Sequence, residues 1–219
     1  MFAEPARQRI RNTGVVAVLV LDREEDAVPV AEALLAGGVD CVELTLRTDC
    51  ALAAARRMRE KCPELCLGIG TVLTPSQVLE VAELGAAFAV SPGTNPRVLD
   101  AAREAGLPFA PGVCTPTDIE IAVDAGCRVL KFFPAEPSGG LAYLRAVAAP
   151  FAHLGVGFIP LGGVDSANAA AYLREPSVLA LGGSWLAPKD VIARRDWAAI
   201  TRASETARKL VETQRGGTA

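Results

Sequence analysis

Short apolar runs alternate with longer amphipathic stretches along most of the chain. The runs recur about every 20–27 residues, a period that indicates a repeated supersecondary unit. Most of them are continuous rather than alternating, which is typical of parallel strands that are buried on both faces. The predicted strands are Gly14–Leu21, Cys41–Leu46, Cys66–Gly70, Phe88–Ser91, Pro108–Pro111, Val129–Phe133, Gly157–Leu161 and Val178–Leu181.

The stretches between these runs carry helix boundary signals. Thr74-Pro75-Ser76-Gln77 predicts a capping box with proline at the first helical position, and Asn95-Pro96 and Thr115-Pro116-Thr117-Asp118 have the same form. Glycine follows several predicted helices, as at Gly85 and Gly106, where the chain turns toward the next strand. Strands that alternate with helices of this length predict βαβ units and a parallel sheet.

Eight strand–helix units in one chain of 219 residues predict a (β/α)8 TIM barrel, an α/β fold. We expect one domain over residues 1–219, with an extra N-terminal helix over Phe2–Arg11 across the bottom of the barrel. A last helix is expected over Arg194–Gln214, followed by a loose tail over residues 216–219. An open doubly wound sheet is the alternative, but that fold rarely needs eight evenly spaced units.

The overall composition narrows the classes of partner. Hydrophobic residues make up 51% of the chain, which is enough for one large core. The net charge is −3 and the basic residues are scattered, whereas a nucleic-acid surface needs a concentrated positive face. No apolar run reaches the ~18 residues that a membrane span needs. The sequence therefore predicts a small-molecule ligand, with no nucleic acid and no membrane as partner.

The N-terminus and the cysteines predict a cytoplasmic location. Met1–Arg7 has mixed charge and no apolar block precedes Gly14, a pattern that does not fit a signal peptide. The six cysteines stand at apolar positions without a CxxC pair, as expected for reduced core thiols.

A lysine interrupts the sixth predicted strand. Lys131 lies in the middle of Val129–Pro134, whereas the other three lysines lie in polar helix ends, loops or the tail. Burial disfavours the charged form of a lysine, and the neutral amine is a nucleophile that forms a Schiff base with a carbonyl. The alternative is an edge-strand lysine, or one whose charged end reaches water.

The second predicted strand carries polar residues on one face. Because side chains alternate along a strand, Glu43, Thr45 and Arg47 point to one side and the apolar residues between them to the other. If Lys131 faces the same interior, Glu43 is placed to move protons through carbinolamine and imine steps. Arg47 is placed to hold a carboxylate by a bidentate pair. The alternative is an ion pair between Glu43 and Arg47 that only fills the barrel mouth.

Small residues occupy the carboxyl ends of several predicted strands, where the active sites of such barrels lie. In Gly68-Ile69-Gly70-Thr71 we expect the glycines to let a ligand approach the backbone and Thr71 to offer a hydroxyl. Gly162-Gly163 and Gly182-Gly183-Ser184 follow the last two strands, whose loops often bind phosphate through backbone N–H groups. Two tight turns are the alternative. The expected ligand carries a phosphate at one end and a carbonyl near Lys131 at the other.

The only histidine of the chain is His153, in a region that the pattern places in a loop before the seventh strand. A zinc-dependent carbon–carbon lyase would need several imidazole ligands. We therefore expect activation of the carbonyl through a covalent imine, with no metal and no organic cofactor.

Several long motifs occur in one order along the chain. They are Val42-Glu43-Leu44-Thr45-Leu46-Arg47-Thr48, Gly68-Ile69-Gly70-Thr71-Val72-Leu73, Ser91-Pro92-Gly93, Leu130-Lys131-Phe132-Phe133-Pro134-Ala135-Glu136 and Gly182-Gly183-Ser184-Trp185. Together they resemble the class I 2-dehydro-3-deoxy-6-phosphogluconate aldolase family, also known as 4-hydroxy-2-oxoglutarate aldolase. The likeness extends from Gly14 to about Leu210.

The resemblance implies a role for each matching residue at the reacting end of the substrate. Lys131 would form the Schiff base, and Glu43 would act as the general acid and base. Arg47 and Thr71 would bind the pyruvate carboxylate, and Pro92 would line the site.

The resemblance also implies what sets the stereochemistry and what binds the phosphate. Phe133 would pack near the imine and bias the stereochemistry. The implied phosphate ligands are Gly162, Gly163, Gly183 and Ser184. Leu161 departs from the family pattern, which usually has threonine there, and this leaves the gluconate or galactonate configuration of the sugar acid open. Family members are commonly trimers, so a homotrimer is implied.

The predicted activity is the reversible cleavage of 2-dehydro-3-deoxy-6-phosphogluconate into pyruvate and glyceraldehyde 3-phosphate. Cleavage of 4-hydroxy-2-oxoglutarate into pyruvate and glyoxylate is a further expectation. One alternative is an aldolase for the 6-phosphogalactonate epimer. Another is a phosphate-binding barrel isomerase or decarboxylase that uses Glu43 as base and Lys131 only as a charge. A third is a non-catalytic phosphosugar-binding protein.

Overall fold

The computed structural model describes residue 2 and residues 4–216, and strands and helices alternate along them. The strands are β1 (Val15–Leu19), β2 (Cys41–Thr45), β3 (Cys66–Gly70), β4 (Phe88–Val90), β5 (Phe109–Ala110), β6 (Gly112–Val113), β7 (Val129–Phe132), β8 (Gly157–Pro160) and β9 (Leu181–Gly183). The helices are α1 (Glu4–Thr13), α2 (Ala27–Ala36), α3 (Ala51–Lys61), α4 (Pro75–Glu83), α5 (Pro96–Glu104), α6 (Pro116–Asp124), α7 (Gly140–Ala148), α8 (Ala169–Leu173), α9 (Lys189–Ala193) and α10 (Trp197–Arg215). Short 3₁₀ helices cover Glu24–Asp26, Ala149–Leu154 and Ser184–Leu186.

The strands form two curled sheets in which the paired strands are parallel. One sheet has the order β5-β4-β3-β2-β1-β9, and the other has the order β6-β7-β8. Pro111 separates β5 from β6 because it has no N–H to give to the ladder, while its carbonyl accepts a bond from the Lys131 N–H at 2.9 Å. At the other end of the second sheet, Phe158 in β8 forms an isolated parallel bridge with Val178. The predicted α/β fold with parallel strands is therefore confirmed.

Two of the predicted strands differ from the structure. The fifth, Pro108–Pro111, is replaced by two short strands on either side of Pro111. The eighth, Val178–Leu181, is displaced along the chain, because Leu181–Gly183 pairs with β1 whereas Val178 makes only the single bridge to β8. The other six strands lie where the apolar runs predict them, with ends that differ by at most two residues.

The helices led by proline begin where the sequence predicts. The capping boxes at Thr74 and Thr115 are present, and the Asn95 side chain accepts a bond from the N–H of Arg97. The N-terminal helix is shifted, since α1 spans Glu4–Thr13 rather than Phe2–Arg11.

The predicted last helix is wrong at its start. The segment is divided by Arg195, whose φ of 57° lies in the left-handed region and ends the helical path. Asp196 then caps α10, where its side chain accepts a bond from the Ala199 N–H at 3.0 Å. Of the predicted tail, residues 217–219 lie outside the described residues.

Apolar side chains pack on both faces of the sheets. The larger cluster lies between the strands and the surrounding helices and includes Leu34 and Leu44. A smaller cluster occupies the inner face with Val16, Phe88 and Val129, and it also contains Ile10 of α1. The Arg9–Asp40 ion pair places α1 beside the start of β2, so the carboxyl ends of the strands are the ends that α1 leaves uncovered. Among the described helices, none combines the length and apolar character that a bilayer crossing needs.

Thr115→Ala tests the capping box that starts α6. The Thr115 hydroxyl accepts a bond from the Asp118 N–H at 3.3 Å, and the Asp118 carboxylate accepts bonds from the N–H groups of Cys114 and Thr115. Burial alone would raise the pKa of Asp118, but these hydrogen bonds hold it below its ordinary value. We expect the substitution to lower the free energy of unfolding by about 1 kcal/mol, as measured by urea denaturation at pH 7.

Thr117→Ala is the matched control, because Thr117 lies in the same helix, is exposed and makes no side-chain hydrogen bond with a described residue. It should leave stability unchanged or raise it by a few tenths of a kcal/mol. Equal losses in both variants would contradict the capping role. Since the Asp118 pKa is depressed, the box contributes fully at pH 7, and that contribution disappears as the pH falls through the folded-state pKa of Asp118.

Candidate active site

Lys131 and Glu43 meet on the inner face of the sheets. The Lys131 Nζ lies 3.0 Å from the Glu43 Oε1, in an ion pair that is also a hydrogen bond. Only 7% of Lys131 and 2% of Glu43 is exposed. Because β7 lies between β6 and β8, the lysine is not on an edge strand, and almost all of it is shielded from water. The expected contact between the two side chains is present.

Strand alternation explains why the two side chains meet. Cys41 in β2 and Val129 in β7 belong to the inner apolar cluster. Each lies two positions before one member of the pair, and residues two apart on a strand share a face. Glu43 and Lys131 therefore point to the same interior from two different sheets.

Gly70 leaves room for the Glu43 carboxylate. A Cβ on Gly70 would collide with the Oε1 and Cδ atoms of Glu43, and a Cβ on Gly68 would collide with the ring of Phe88. On the side where a Cβ would stand, side chains of the protein fill the space, and the approach of a ligand to the backbone here stays a prediction. The glycines of β3 make the buried pair possible.

The ring of Phe133 lies beside the Lys131 amine. The Lys131 Nζ is 5.3 Å from the ring centroid, within the range of a cation–π contact. The same half-buried ring packs against Gly162, where a Cβ would lie 3.2 Å from the nearest ring atom. Phe133 therefore connects the amine with the loop that follows β8.

Arg47 lies beyond the buried pair. It follows the end of β2, its side chain is exposed, and it makes no side-chain hydrogen bond or ion pair with a described residue. The alternative in which Glu43 and Arg47 pair with each other is wrong, because Glu43 pairs with Lys131. This arrangement leaves the guanidinium group of Arg47 accessible to a ligand.

Thr71 and Pro92 follow the neighbouring strands β3 and β4. Thr71 is half-buried and has a φ of 61°, a left-handed backbone conformation that residues other than glycine seldom adopt. Such outliers concentrate at functional sites. Pro92 is exposed, and its carbonyl packs so closely on Gly112 that a Cβ there would collide with it. Both residues, like Arg47, follow the carboxyl ends of strands in the same sheet.

The two glycine pairs have different conformations. Gly162 and Gly163 follow β8 and have φ values of 91° and 82°, which strongly favour glycine. Gly182 and Gly183 belong to β9 and pair with β1. The alternative of two tight turns therefore fits only the first pair. Ser184 is exposed and begins the 3₁₀ helix that follows β9.

Leu161 lies between the two glycine pairs. Its side chain is buried, and a Cβ on Gly182 would collide with the Leu161 Cγ. An apolar side chain therefore joins the ends of β8 and β9 at the position where the family pattern places threonine.

A hydrogen bond between Tyr172 and Glu136 lies beside the Gly162-Gly163 pair, and the sequence motifs did not indicate it. The Tyr172 hydroxyl in α8 donates to the Glu136 carboxylate at 2.6 Å. Burial, and then this hydrogen bond, raise the pKa of Tyr172, so the hydroxyl stays protonated as a donor. Glu136 is the last residue of the Leu130–Glu136 motif, and this was the only signal that it has a role.

A cavity of about 360 Å³ lies away from these groups. Its lining includes Val15, Trp185, Arg202 and Leu210. Lys131, Glu43 and Phe133 do not line this cavity, so the candidate site is defined by the side-chain contacts above. The described residues contain no cluster of three or more His, Cys, Asp or Glu that could hold a metal ion.

Comparison with known proteins identifies the family. A family model described as KDPG and KHG aldolase matches residues 6–203. The chain belongs to the KDPG and KHG aldolase family. KDPG is 2-keto-3-deoxy-6-phosphogluconate and KHG is 4-hydroxy-2-oxoglutarate, so the family predicted from the motifs is confirmed.

Curated relatives match nearly the full chain. The KHG/KDPG aldolase of Escherichia coli strain K12 is 46% identical over 206 residues, which cover 94% of each chain. The 2-dehydro-3-deoxy-phosphogluconate aldolase of Treponema pallidum is 44% identical over 206 residues, which cover 94% of this chain and 96% of the relative.

Solved structures of two further relatives superpose closely. The KDPG aldolase of Legionella pneumophila, in which pyruvate was captured as a covalent carbinolamine, has a TM-score of 0.88 at 37% identity and covers 92% of this chain and 97% of its own. The 2-keto-3-deoxy-6-phosphogluconate aldolase of Zymomonas mobilis ZM4, with 3-phosphoglycerate, also has a TM-score of 0.88 at 37% identity. The match covers 95% of this chain and 97% of that relative. Membership of an aldolase family favours a lyase over the isomerase, decarboxylase and non-catalytic alternatives.

Removal of either member of the buried pair should destabilise this aldolase fold strongly. Lys131→Met leaves the Glu43 carboxylate buried without its partner, and Glu43→Met does the same to the ammonium group. The loss of one buried partner costs about 3–5 kcal/mol. The double substitution removes both charges, so its loss should be at least about 2 kcal/mol smaller than the sum of the single losses. Urea denaturation of the four proteins measures the coupling.

The exposed Arg103–Asp100 ion pair in α5 is the control for this cycle, because its atoms are 2.9 Å apart, close to the 3.0 Å of the buried pair. The same cycle on that pair should give a coupling of about 0–1 kcal/mol. Additive losses at Lys131 and Glu43 would show that their contact does not stabilise the fold.

Proposed function

We propose that this chain is a class I aldolase that cleaves KDPG into pyruvate and glyceraldehyde 3-phosphate through an imine on Lys131. The buried contact of 3.0 Å between Lys131 and Glu43, in a member of an aldolase family, is the observation that carries the proposal. An amine and a carboxylate enclosed together supply a nucleophile and a proton carrier in one place.

Glu43 moves the protons that imine formation requires. The Lys131 ammonium passes a proton to Glu43, and the free amine attacks the C2 ketone of KDPG. The carbinolamine then loses water with the proton that Glu43 returns. The protonated imine accepts the electron pair of the C3–C4 bond while Glu43 takes the C4 hydroxyl proton, and glyceraldehyde 3-phosphate leaves. The resulting enamine is protonated at C3, and hydrolysis of the imine releases pyruvate and the amine.

We assign the carboxylate end of the substrate to Arg47 and Thr71. The exposed guanidinium group of Arg47 suits a bidentate pair with a carboxylate. Thr71 has a left-handed backbone conformation and offers a hydroxyl at the carboxyl end of the neighbouring strand. Pro92 follows the next strand and lines this end of the site, and Phe133 packs against the imine.

We assign the phosphate to the backbone around the two glycine pairs. Successive N–H groups in a turn can form a concave anion-binding surface, and we assign this role to the turn at Gly162-Gly163. Gly183 and the exposed hydroxyl of Ser184 complete the assigned ligands. The structure of the Zymomonas mobilis relative contains 3-phosphoglycerate, a small phosphorylated acid. This supports the presence of a phosphate-binding site in the family.

KHG is the second substrate that we propose. Its C2 ketone and C4 hydroxyl are the groups on which the imine chemistry acts, so cleavage would give pyruvate and glyoxylate by the same steps. For the sugar acid we favour the gluconate configuration, because the structure of a KDPGal relative is 25% identical to this chain whereas the KDPG aldolases above are 37% identical.

The finer architecture is also part of the proposal. The junction of β5 and β6 at Pro111 and the bridge between Phe158 and Val178 support closure of the two sheets into one (β/α)8 barrel. A single domain over residues 1–219, a homotrimeric assembly and a cytoplasmic location stay predictions from the sequence.

Incubation with pyruvate and borohydride tests the imine. We expect peptide mass spectrometry to find the reduced pyruvate adduct on Lys131, because reduction makes the imine bond permanent. The other lysines, Lys61, Lys189 and Lys209, are internal controls in the same sample and should stay unmodified, since they are exposed to water. A folded protein without an adduct on Lys131 would end the aldolase proposal.

Glu43→Gln tests the proton carrier. Glutamine keeps the shape of the side chain but cannot take up a proton, so we expect kcat for KDPG cleavage to fall by about 10²–10⁴-fold. Circular dichroism establishes that the variant is folded. Glu83→Gln, at an exposed position in α4, is the control and should retain the wild-type rate. A Glu43→Gln enzyme within a few-fold of wild type would assign the proton transfers to another group.

A further inference from the structure

Tyr172 and Glu136 tie the segment after β7 to α8. Tyr172 is 1% exposed, and its hydroxyl reaches the Glu136 Oε1 at 2.6 Å. A buried hydroxyl of this kind is normally satisfied by one well-placed acceptor, and here the acceptor is charged. The contact joins two segments that are 36 residues apart in the sequence.

Glu136 also holds the first glycine pair in place. Its backbone N–H donates to the Gly162 carbonyl at 2.9 Å. Its side chain packs over Gly163, where a Cβ would lie 2.6 Å from the Glu136 Cβ and 2.9 Å from its Cγ. The turn that the proposed function assigns to the phosphate is therefore shaped on one side by Glu136.

The charge of Glu136 creates a conflict at this position. A carboxylate beside the turn repels a phosphate, and because Glu136 is exposed, water weakens this repulsion without abolishing it. The hydrogen bond from Tyr172 fixes the carboxylate at the start of α7, because the Glu136 Oε1 lies 3.2 Å from the position of a Cβ on Gly140. The N-terminus of a helix favours a negative charge, so the carboxylate is held where it is stabilised.

We propose that Tyr172 is a positioning residue that sets the preference of this aldolase for a phosphorylated substrate by holding the Glu136 carboxylate at the start of α7. The inference rests on the proposed function, since it takes the Gly162-Gly163 turn as part of the phosphate site. Without the hydroxyl, the Glu136 side chain rotates freely and its charge reaches the turn. The reacting end of the substrate, at Lys131, is unaffected.

Tyr172→Phe is the variant that tests this role. We expect KM for KDPG to rise about 3- to 10-fold, the range that the net contribution of one ordinary hydrogen bond supports. The kcat for KDPG should stay within about two-fold, because the groups at the imine are unchanged. KM for 2-keto-3-deoxygluconate, the same sugar acid without its phosphate, should not change.

Tyr143→Phe is the matched control, because it removes the same hydroxyl from the other tyrosine of the chain. The Tyr143 ring packs on Phe132 with centroids 6.3 Å apart, and its hydroxyl makes no hydrogen bond with a described residue. This variant should keep the wild-type KM for both substrates. A general loss of packing from the removal of a tyrosine hydroxyl would appear in both variants.

Glu136→Gln separates the charge from the shape. The amide oxygen still accepts the Tyr172 hydroxyl, so this variant should bind KDPG at least as tightly as the wild type. In the Tyr172→Phe background, Glu136→Gln should restore KM for KDPG, because the charge that reaches the turn is gone. A merely structural role for Tyr172 would not be rescued by this change.

Two results would overturn the inference. One is a Tyr172→Phe enzyme whose KM for KDPG is unchanged, and the other is an equal rise in KM for KDPG and for the unphosphorylated acid. Pyruvate trapping on Lys131 is measured in every variant. Loss of trapping in the wild type itself would refute the proposed function, whereas normal trapping with an unchanged KM refutes only the role of Tyr172.

Discussion

The buried ion pair between Lys131 and Glu43 is the contact on which the rest of the structure depends. Two charges removed from water are tolerated only when their geometry is good and their surroundings are fixed. The partners are 88 residues apart in the sequence, so β2 and β7 must present the same inner face for the pair to form. Gly70 must also lack a side chain, because Glu43 occupies that space. In the proposed mechanism, folding and chemistry use this one contact.

In the proposed site, the functions are divided between strands and loops. The strands hold the amine and the carboxylate rigidly, as chemistry at one carbon atom requires. The segments after the strands carry Arg47, Thr71 and the Gly162-Gly163 turn, which are closer to solvent and suited to the charged ends of a substrate. Phe133 links the two regions, because one ring contacts both the amine and Gly162.

The sequence predicted what depends on local pattern. Alternation along β2 and β7 predicted that Glu43 and Lys131 share one interior if the lysine faces inward, and the capping boxes located their helices. It failed where a tertiary contact decides. The local pattern at Gly70 does not show that the Glu43 side chain, from another strand, lies where a Cβ would stand. Gly182 and Gly183 belong to β9 because residues of β1 pair with them. The hydrogen bond between Tyr172 and Glu136 joins distant segments, so no local pattern could indicate it.

Leu161 and Gly182 limit the order in which this protein can change over generations. The Leu161 side chain occupies the space that any larger residue at position 182 would need. In a close-packed interior such a neighbour cannot simply move aside. A side chain at position 182 is therefore accessible only in a lineage whose residue 161 has already become smaller, for example threonine. The two positions form an epistatic pair, in which one substitution is harmful or neutral according to the history of the other.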